Sequence, residues 1–214
     1  MKGKIEEIKE IYSMIGEKIR ERMEEFRMMG ERGSDEDIFA ELVFCILTPQ
    51  SRARVCWRAV EKMKEDGTLF HGGRDEIIEK LHGIRFKYNK ADYILLAIEK
   101  FVGGTLNLKN LIKESSNPFL AREWLVKNIK GMGYKEANHF LRNVGRGDNF
   151  AILDRHILKN LLLLDVIDEI PATLSRKRYY DIEGKMRRFA SLINIPLAHL
   201  DMVLWYKEAG EVFK

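Results

Sequence analysis

Cysteine is nearly missing from this chain: Cys45 and Cys56 are the only two in 214 residues. Two thiols alone cannot build a disulfide framework, a four-thiolate iron–sulfur cluster or a structural zinc site. The five histidines, His71, His82, His139, His156 and His199, show no metal-ligand spacing. No metal or other cofactor is therefore expected to carry the chemistry. Proline is scarce, with four residues where average usage is about 5%, and glutamine occurs once, at Gln50. No unbroken apolar run approaches the roughly 18 residues of a membrane span. The opening MKGKIEEIKEIY has acids where a signal peptide would be apolar. These absences exclude a disulfide scaffold, a metal cluster and a membrane anchor, and point to the cytoplasm.

What is present is helical. Hydrophobic residues make up 45% and charged residues 33%, a globular composition, and strand-like alternation is nearly absent. Ile5, Ile8, Tyr12, Ile15, Ile19 and Phe26 fall close to helical spacing, predicting a helix to about Met29. Ser34 offers an N-cap for DEDIFAELVFCIL, which Pro49 should stop. Further helices are predicted over about 52–64, 75–81, 88–101 and 106–112. Asp66-Gly67 and Gly72-Gly73 punctuate a loop between the first two of these. Asn117-Pro118 should open a helix to about Asn128. The remaining segments are 135–144, a helix capped by Asp154 to Leu164, one capped by Ser175 to about Ile193, and one opened by Pro196. The expected fold is all-α, with about ten helices.

Charge is concentrated. Residues 127–160 hold seven bases and three acids, net +4, which equals the net charge of the whole chain. Such asymmetry favours an anionic partner, although a solvated helix face is the ordinary alternative. Inside that segment lies Ile129-Lys130-Gly131-Met132-Gly133-Tyr134 between two apolar-flanked helices. Two glycines one residue apart permit close backbone approach, and the amides that open the next helix are a ready phosphate site. The expectation is a helix-hairpin-helix motif over 120–146 whose turn amides point outward to a nucleic-acid backbone. A tight helix connection is the plainer reading.

The run IKGMGYKEA followed by ILDRH resembles the helix-hairpin-helix and aspartate signature of the endonuclease III-type DNA glycosylases. Leu47-Thr48-Pro49-Gln50, Gly83 to Ala91 and the ending with Trp205 and Lys214 resemble, within it, the compact 8-oxoguanine DNA glycosylase/AP lyases of archaea and thermophilic bacteria. The resemblance implies one unit over 1–214, with lobes near 34–104 and 1–33 plus 105–214 around a cleft. It implies a monomer acting without cofactor on double-stranded, nucleoid-associated DNA that contains 8-oxoguanine.

By the same resemblance, Lys135 is the Schiff-base nucleophile and Asp154 the catalytic carboxylate. A lysine amine attacks only when neutral, so burial or nearby cations such as Lys130 and Arg155 are expected to favour that form. Asp154 would stabilise an oxocarbenium-like sugar, and an ordinary N-cap is the compatible plainer role. Trp205 is expected to stack on an extruded base, and Lys214 to help separate 8-oxoguanine from guanine. Gln50 should face the lesion strand, and Phe86, within Arg85-Phe86-Lys87-Tyr88, should insert into the gap left by the flipped nucleotide. Gly131, Gly133, Arg85, Lys130 and Arg155 should meet the DNA backbone. Two other readings stay open: another base-excision glycosylase without a cluster, such as an endonuclease III-like enzyme, and a non-catalytic DNA-binding module. The latter would need neither Lys135 nor Asp154.

Overall fold

The computed structural model describes residues 2–104, 107–115 and 117–214. Among them are twelve helices and no strand: α1 (Lys2–Arg32), α2 (Asp35–Leu47), α3 (Ala53–Glu65), α4 (Thr68–His71), α5 (Arg74–Lys80), α6 (Lys87–Phe101), α7 (Leu108–Glu114), α8 (Pro118–Asn128), α9 (Tyr134–Asn143), α10 (Arg155–Leu163), α11 (Arg176–Leu192) and α12 (Leu197–Ala209). The all-α expectation holds. Local chemistry sets most boundaries. Ser34 Oγ accepts from the Asp37 amide at 3.1 Å while Asp37 Oδ2 accepts from the Ser34 amide at 2.9 Å, a reciprocal capping box. The Asn117, Asp154 and Ser175 side chains cap α8, α10 and α11 by accepting from first-turn amides, without the reciprocal bond.

One helix exceeds expectation. The stretch read as a loop between Gly67 and Gly72 holds α4, because Leu69 and Phe70 are buried there. The Phe70 ring packs 6.1 Å from that of Phe39. Apolar burial outweighs the glycine punctuation. The helix expected from Leu106 begins at Leu108, and Leu106 itself lies outside the described residues.

Buried apolar side chains form two clusters. One runs from Ile38 to Phe150 and draws on α2 through α9. The other joins Ile8, Ile15, Ile19 and Phe26 of α1 to residues from Ala151 to Leu204. The clusters thus part at 150/151, later than the boundary expected at 104/105, because α7, α8 and α9 bury their apolar faces with the first. The first helix belongs to the second cluster because α1 packs along α12. It also meets the end of α9, where Gly145 has φ +69° and a Cβ would lie 2.6 Å from Arg27 Cα. Only glycine permits that approach.

Candidate active site

A cleft of about 1030 Å³ opens where the two clusters meet. Ligand pockets typically measure about 300–1,000 Å³, so it has room for a nucleoside. Its walls are the 48–54 turn and Arg85 on one side, the 152–157 segment and α12 on the other, with one face of α9 between them.

The α8–α9 hairpin presents that face. At its turn, Gly131 has φ +84°, and a Cβ there would lie 2.4 Å from the Tyr93 ring, so no other residue fits. Lys135, in the first turn of α9, points into the cleft and is 19% exposed. Its Nζ donates to Thr48 Oγ1 at 3.2 Å and stands 3.5 Å from Glu136 Oε1. Thr48 Oγ1 in turn donates to the Cys45 carbonyl at 2.9 Å. The expectation that the turn amides are free needs correction. The Gly133 amide donates to Glu136 Oε2 at 3.0 Å and the Met132 amide to the Ile129 carbonyl at 3.2 Å. A helix leaves its first amides without intrahelical partners, so Tyr134 and Lys135 supply the open donors.

Asp154 lines the same cleft as Lys135. Its Oδ1 accepts from the His156 and Ile157 amides, both at 2.8 Å, so the cap reading holds and fixes the carboxylate. The segment before it is neither helix nor strand: the Asp154 amide donates to the Ile152 carbonyl at 2.7 Å, and side chains take the other backbone groups. The Ala151 carbonyl accepts from Asn138 Nδ2 at 2.8 Å and Tyr179 OH at 2.7 Å, and the Ala151 amide donates to Glu183 Oε1 at 3.1 Å. The Ile152 amide donates to Asp201 Oδ1 at 2.9 Å. Glu183 is neutralised by Arg122 at 2.9 Å, whose fully buried guanidinium lies against Phe150 at 4.6 Å and Tyr180 at 4.4 Å. Asp201 pairs with Arg142 at 3.0 Å. Burial outweighs that attraction and pushes the Asp201 carboxyl up to about 6.

Trp205, Lys214, Gln50, Arg85 and Arg155 all line this cleft. Trp205 Nε1 is buried without a partner, and its ring meets His156 edge-on at 5.5 Å. The Lys214 ammonium pairs with buried Glu41 and sits 3.4 Å from the Trp57 ring centroid. Phe86 stands beside Arg85 outside the cleft lining, 55% exposed, with its ring 5.6 Å from the Arg85 guanidinium. Lys130 is placed elsewhere, in a separate hollow of about 470 Å³ with Tyr93, Lys100 and Asn128. The basic segment is also partly spent internally. Arg142 is buried against Asp201, Lys159 pairs with Glu208 at 3.1 Å, and Arg146 donates to the Ser115 carbonyl.

Sequence reasoning missed Thr48, Glu136, His139, Arg142 and Asp201, all of which line the cleft. Spacing held part of the signal, since residues 135, 139 and 142 fall on one helical face. His139 is buried with neither ring nitrogen paired, and burial holds its pKa well below the usual histidine range.

A hairpin lysine and a capping aspartate in one cleft of nucleoside size have known counterparts. The profile of the Ogg-HhH family, 8-oxoguanine DNA glycosylase, matches residues 19–195. The chain belongs to this family. It is 48% identical to the 8-oxoguanine DNA glycosylase/AP lyase of Fusobacterium nucleatum over 209 residues, 97% of this chain and 96% of that one. It is 45% identical to the Methanocaldococcus jannaschii 8-oxoguanine DNA glycosylase/AP lyase over 213 residues, 99% of this chain and 98% of that one. The crystal structure of an M. jannaschii 8-oxoguanine glycosylase/lyase in complex with 15mer DNA containing 8-oxoguanine superposes with a TM-score of 0.89 at 41% identity. That match covers 98% of this chain and 99% of the other.

Proposed function

We infer that this family member is an 8-oxoguanine DNA glycosylase/AP lyase that acts on duplex DNA through Lys135 and Asp154. The observation that carries the reading is the presence of both side chains in one cleft, Lys135 at the start of the helix that follows the hairpin turn and Asp154 at the cap of α10. Chemistry at C1′ requires the nucleotide to leave the stack. The neutral Lys135 amine attacks C1′, the N-glycosidic bond breaks, and the base departs with the bonding electrons and a proton. Loss of the second amine proton and opening of the sugar ring give a Schiff base. Removal of a C2′ proton then expels the 3′ phosphate by β-elimination, and water releases the amine. Asp154, fixed by its cap, supplies the negative charge that stabilises the cationic sugar.

Recognition follows from the remaining lining. Trp205 offers a face for the extruded base, a type of contact worth about 1–3 kcal/mol per base. 8-Oxoguanine differs from guanine by a C8 carbonyl and an N7–H. We assign part of that discrimination to Lys214, which lines the cleft with its side chain anchored on Glu41 and Trp57. One chain supplies both walls, so we assign a monomer. Among the described residues no single helix is long and apolar enough to cross a membrane, and we place the protein with the DNA of the cell.

Borohydride trapping on an 8-oxoguanine·C duplex tests the reading. The parent should form a covalent adduct and Lys135→Gln none. Equal adduct from Lys135→Gln would remove Lys135 as the nucleophile.

A further inference from the structure

Among the described residues, four other than glycine have positive φ: Gln50, Phe86, Asp165 and Asn194. Asp and Asn tolerate this region through local hydrogen bonds. Gln50, at φ +53°, and Phe86, at φ +57°, lack that excuse. Such conformations are strained and persist only where the surroundings impose them. These two residues lie 36 positions apart, yet a single side chain restrains both turns.

That side chain is Lys90 of α6, which is 3% exposed. Its Nζ donates to the Leu47 carbonyl at 2.8 Å, the Pro49 carbonyl at 2.7 Å and Ser51 Oγ at 3.1 Å. These acceptors bracket Gln50. Ser51 Oγ also accepts from the Arg85 amide at 3.1 Å, directly before Phe86. Among the described residues every hydrogen-bond acceptor of Lys90 is a neutral oxygen, and no carboxylate pairs with it. A buried cation without a counter-ion is unfavourable to folding, and an apolar chain of similar volume would avoid the desolvation. Burial accordingly lowers the Lys90 pKa. Stability alone gives no reason for lysine here, whereas holding three acceptors in place does.

We propose that Lys90 is a positioning residue for base extrusion, its buried amine locking the Gln50 and Phe86 turns into one preformed wedge at the mouth of the cleft. The proposal rests on the glycosylase reading above. Gln50 lines the cleft, and Phe86 projects into solvent beside it. A side chain filling the gap left by an extruded nucleotide must be held before the duplex arrives, because ordering it during the event would raise the barrier.

The test compares the parent with Lys90→Met and Ser51→Ala, each shown by thermal melting to be folded. The duplex carries 8-oxoguanine with 2-aminopurine as its 3′ neighbour. Fluorescence reports unstacking, and single-turnover assays report excision. Borohydride trapping on a single-stranded abasic oligonucleotide reads Lys135 chemistry without extrusion from a duplex. Lys90→Met should lower duplex excision by about 10- to 100-fold, as misplaced groups do, and weaken the fluorescence rise. Single-stranded trapping should remain within about threefold of the parent. Ser51→Ala should move both duplex readouts in the same direction by a smaller factor, which keeps the test decisive if Lys90→Met does not fold. Parental duplex behaviour of the folded variants overturns the wedge, as does an equal loss on the duplex and the single strand. A parent inert on the same duplex overturns the glycosylase reading instead.

Discussion

The two non-helical walls of the cleft solve one problem in opposite ways. The 47–51 turn has two of its carbonyls, those of Leu47 and Pro49, held by one buried cation, Lys90, and keeps Gln50 in a left-handed conformation. The 151–154 segment has no residue with positive φ and is held by the buried carboxylates of Glu183 and Asp201, each matched by an arginine. The first wall stores strain next to exposed side chains. The second is relaxed and buried, and it ends on the capped Asp154. A surface that must meet and deform a duplex tolerates strain, whereas a carboxylate that must stand still beside a forming cation requires fixity.

Four changes break or sharpen this contrast. Glu183→Gln leaves the Arg122 guanidinium buried without its counter-charge, and should cost about 3–5 kcal/mol in urea unfolding. A loss below about 1 kcal/mol would mean that Glu183 does not hold the second wall. Asp154→Asn keeps the cap, since asparagine caps as well as aspartate. Its unfolding midpoint should barely move while excision falls by about 10²–10³-fold, the size of a lost electrostatic stabiliser. Full-rate excision would reduce Asp154 to a structural cap.

The third change concerns pH. Asp201 titrates near 6 when folded and near 4 when unfolded. Its folded value is raised, so its contribution to stability is complete below about pH 4 and is lost as pH rises through about 6. Asp201→Asn should remove that slope from unfolding free energies measured across this window, and an unchanged slope would assign it to other groups. The smallest effect is expected at Gln50→Gly, which relieves the left-handed strain and should raise stability by about 1 kcal/mol or less. The same substitution at Leu153, on the unstrained wall, should lower it. Losses at both sites would erase the distinction between the walls.

Short-range chemistry was legible. Ser34, Asn117, Asp154 and Ser175 were each expected as N-caps and act as such, because a cap involves only the next three residues. The hairpin glycines and the position of Lys135 were legible for the same reason. Contacts between distant residues were not. Thr48 meets Lys135 across 87 positions and Lys90 reaches Leu47 across 43, and neither pair leaves a periodic trace. Lys130 reads as part of the basic hairpin, but the turn carries it to a separate hollow. Glu136 reads as a helix-opening acid, yet it occupies the Gly133 amide that was expected to be free. Arg142 counts as surface charge in composition and is in fact buried against Asp201.

The most direct test of the account is peptide mapping of the borohydride-reduced adduct by mass spectrometry. The account predicts that the added sugar mass lies on the peptide containing Lys135, at its side chain. Modification at Lys90, Lys130 or any other lysine, with the Lys135 peptide unmodified, would contradict it.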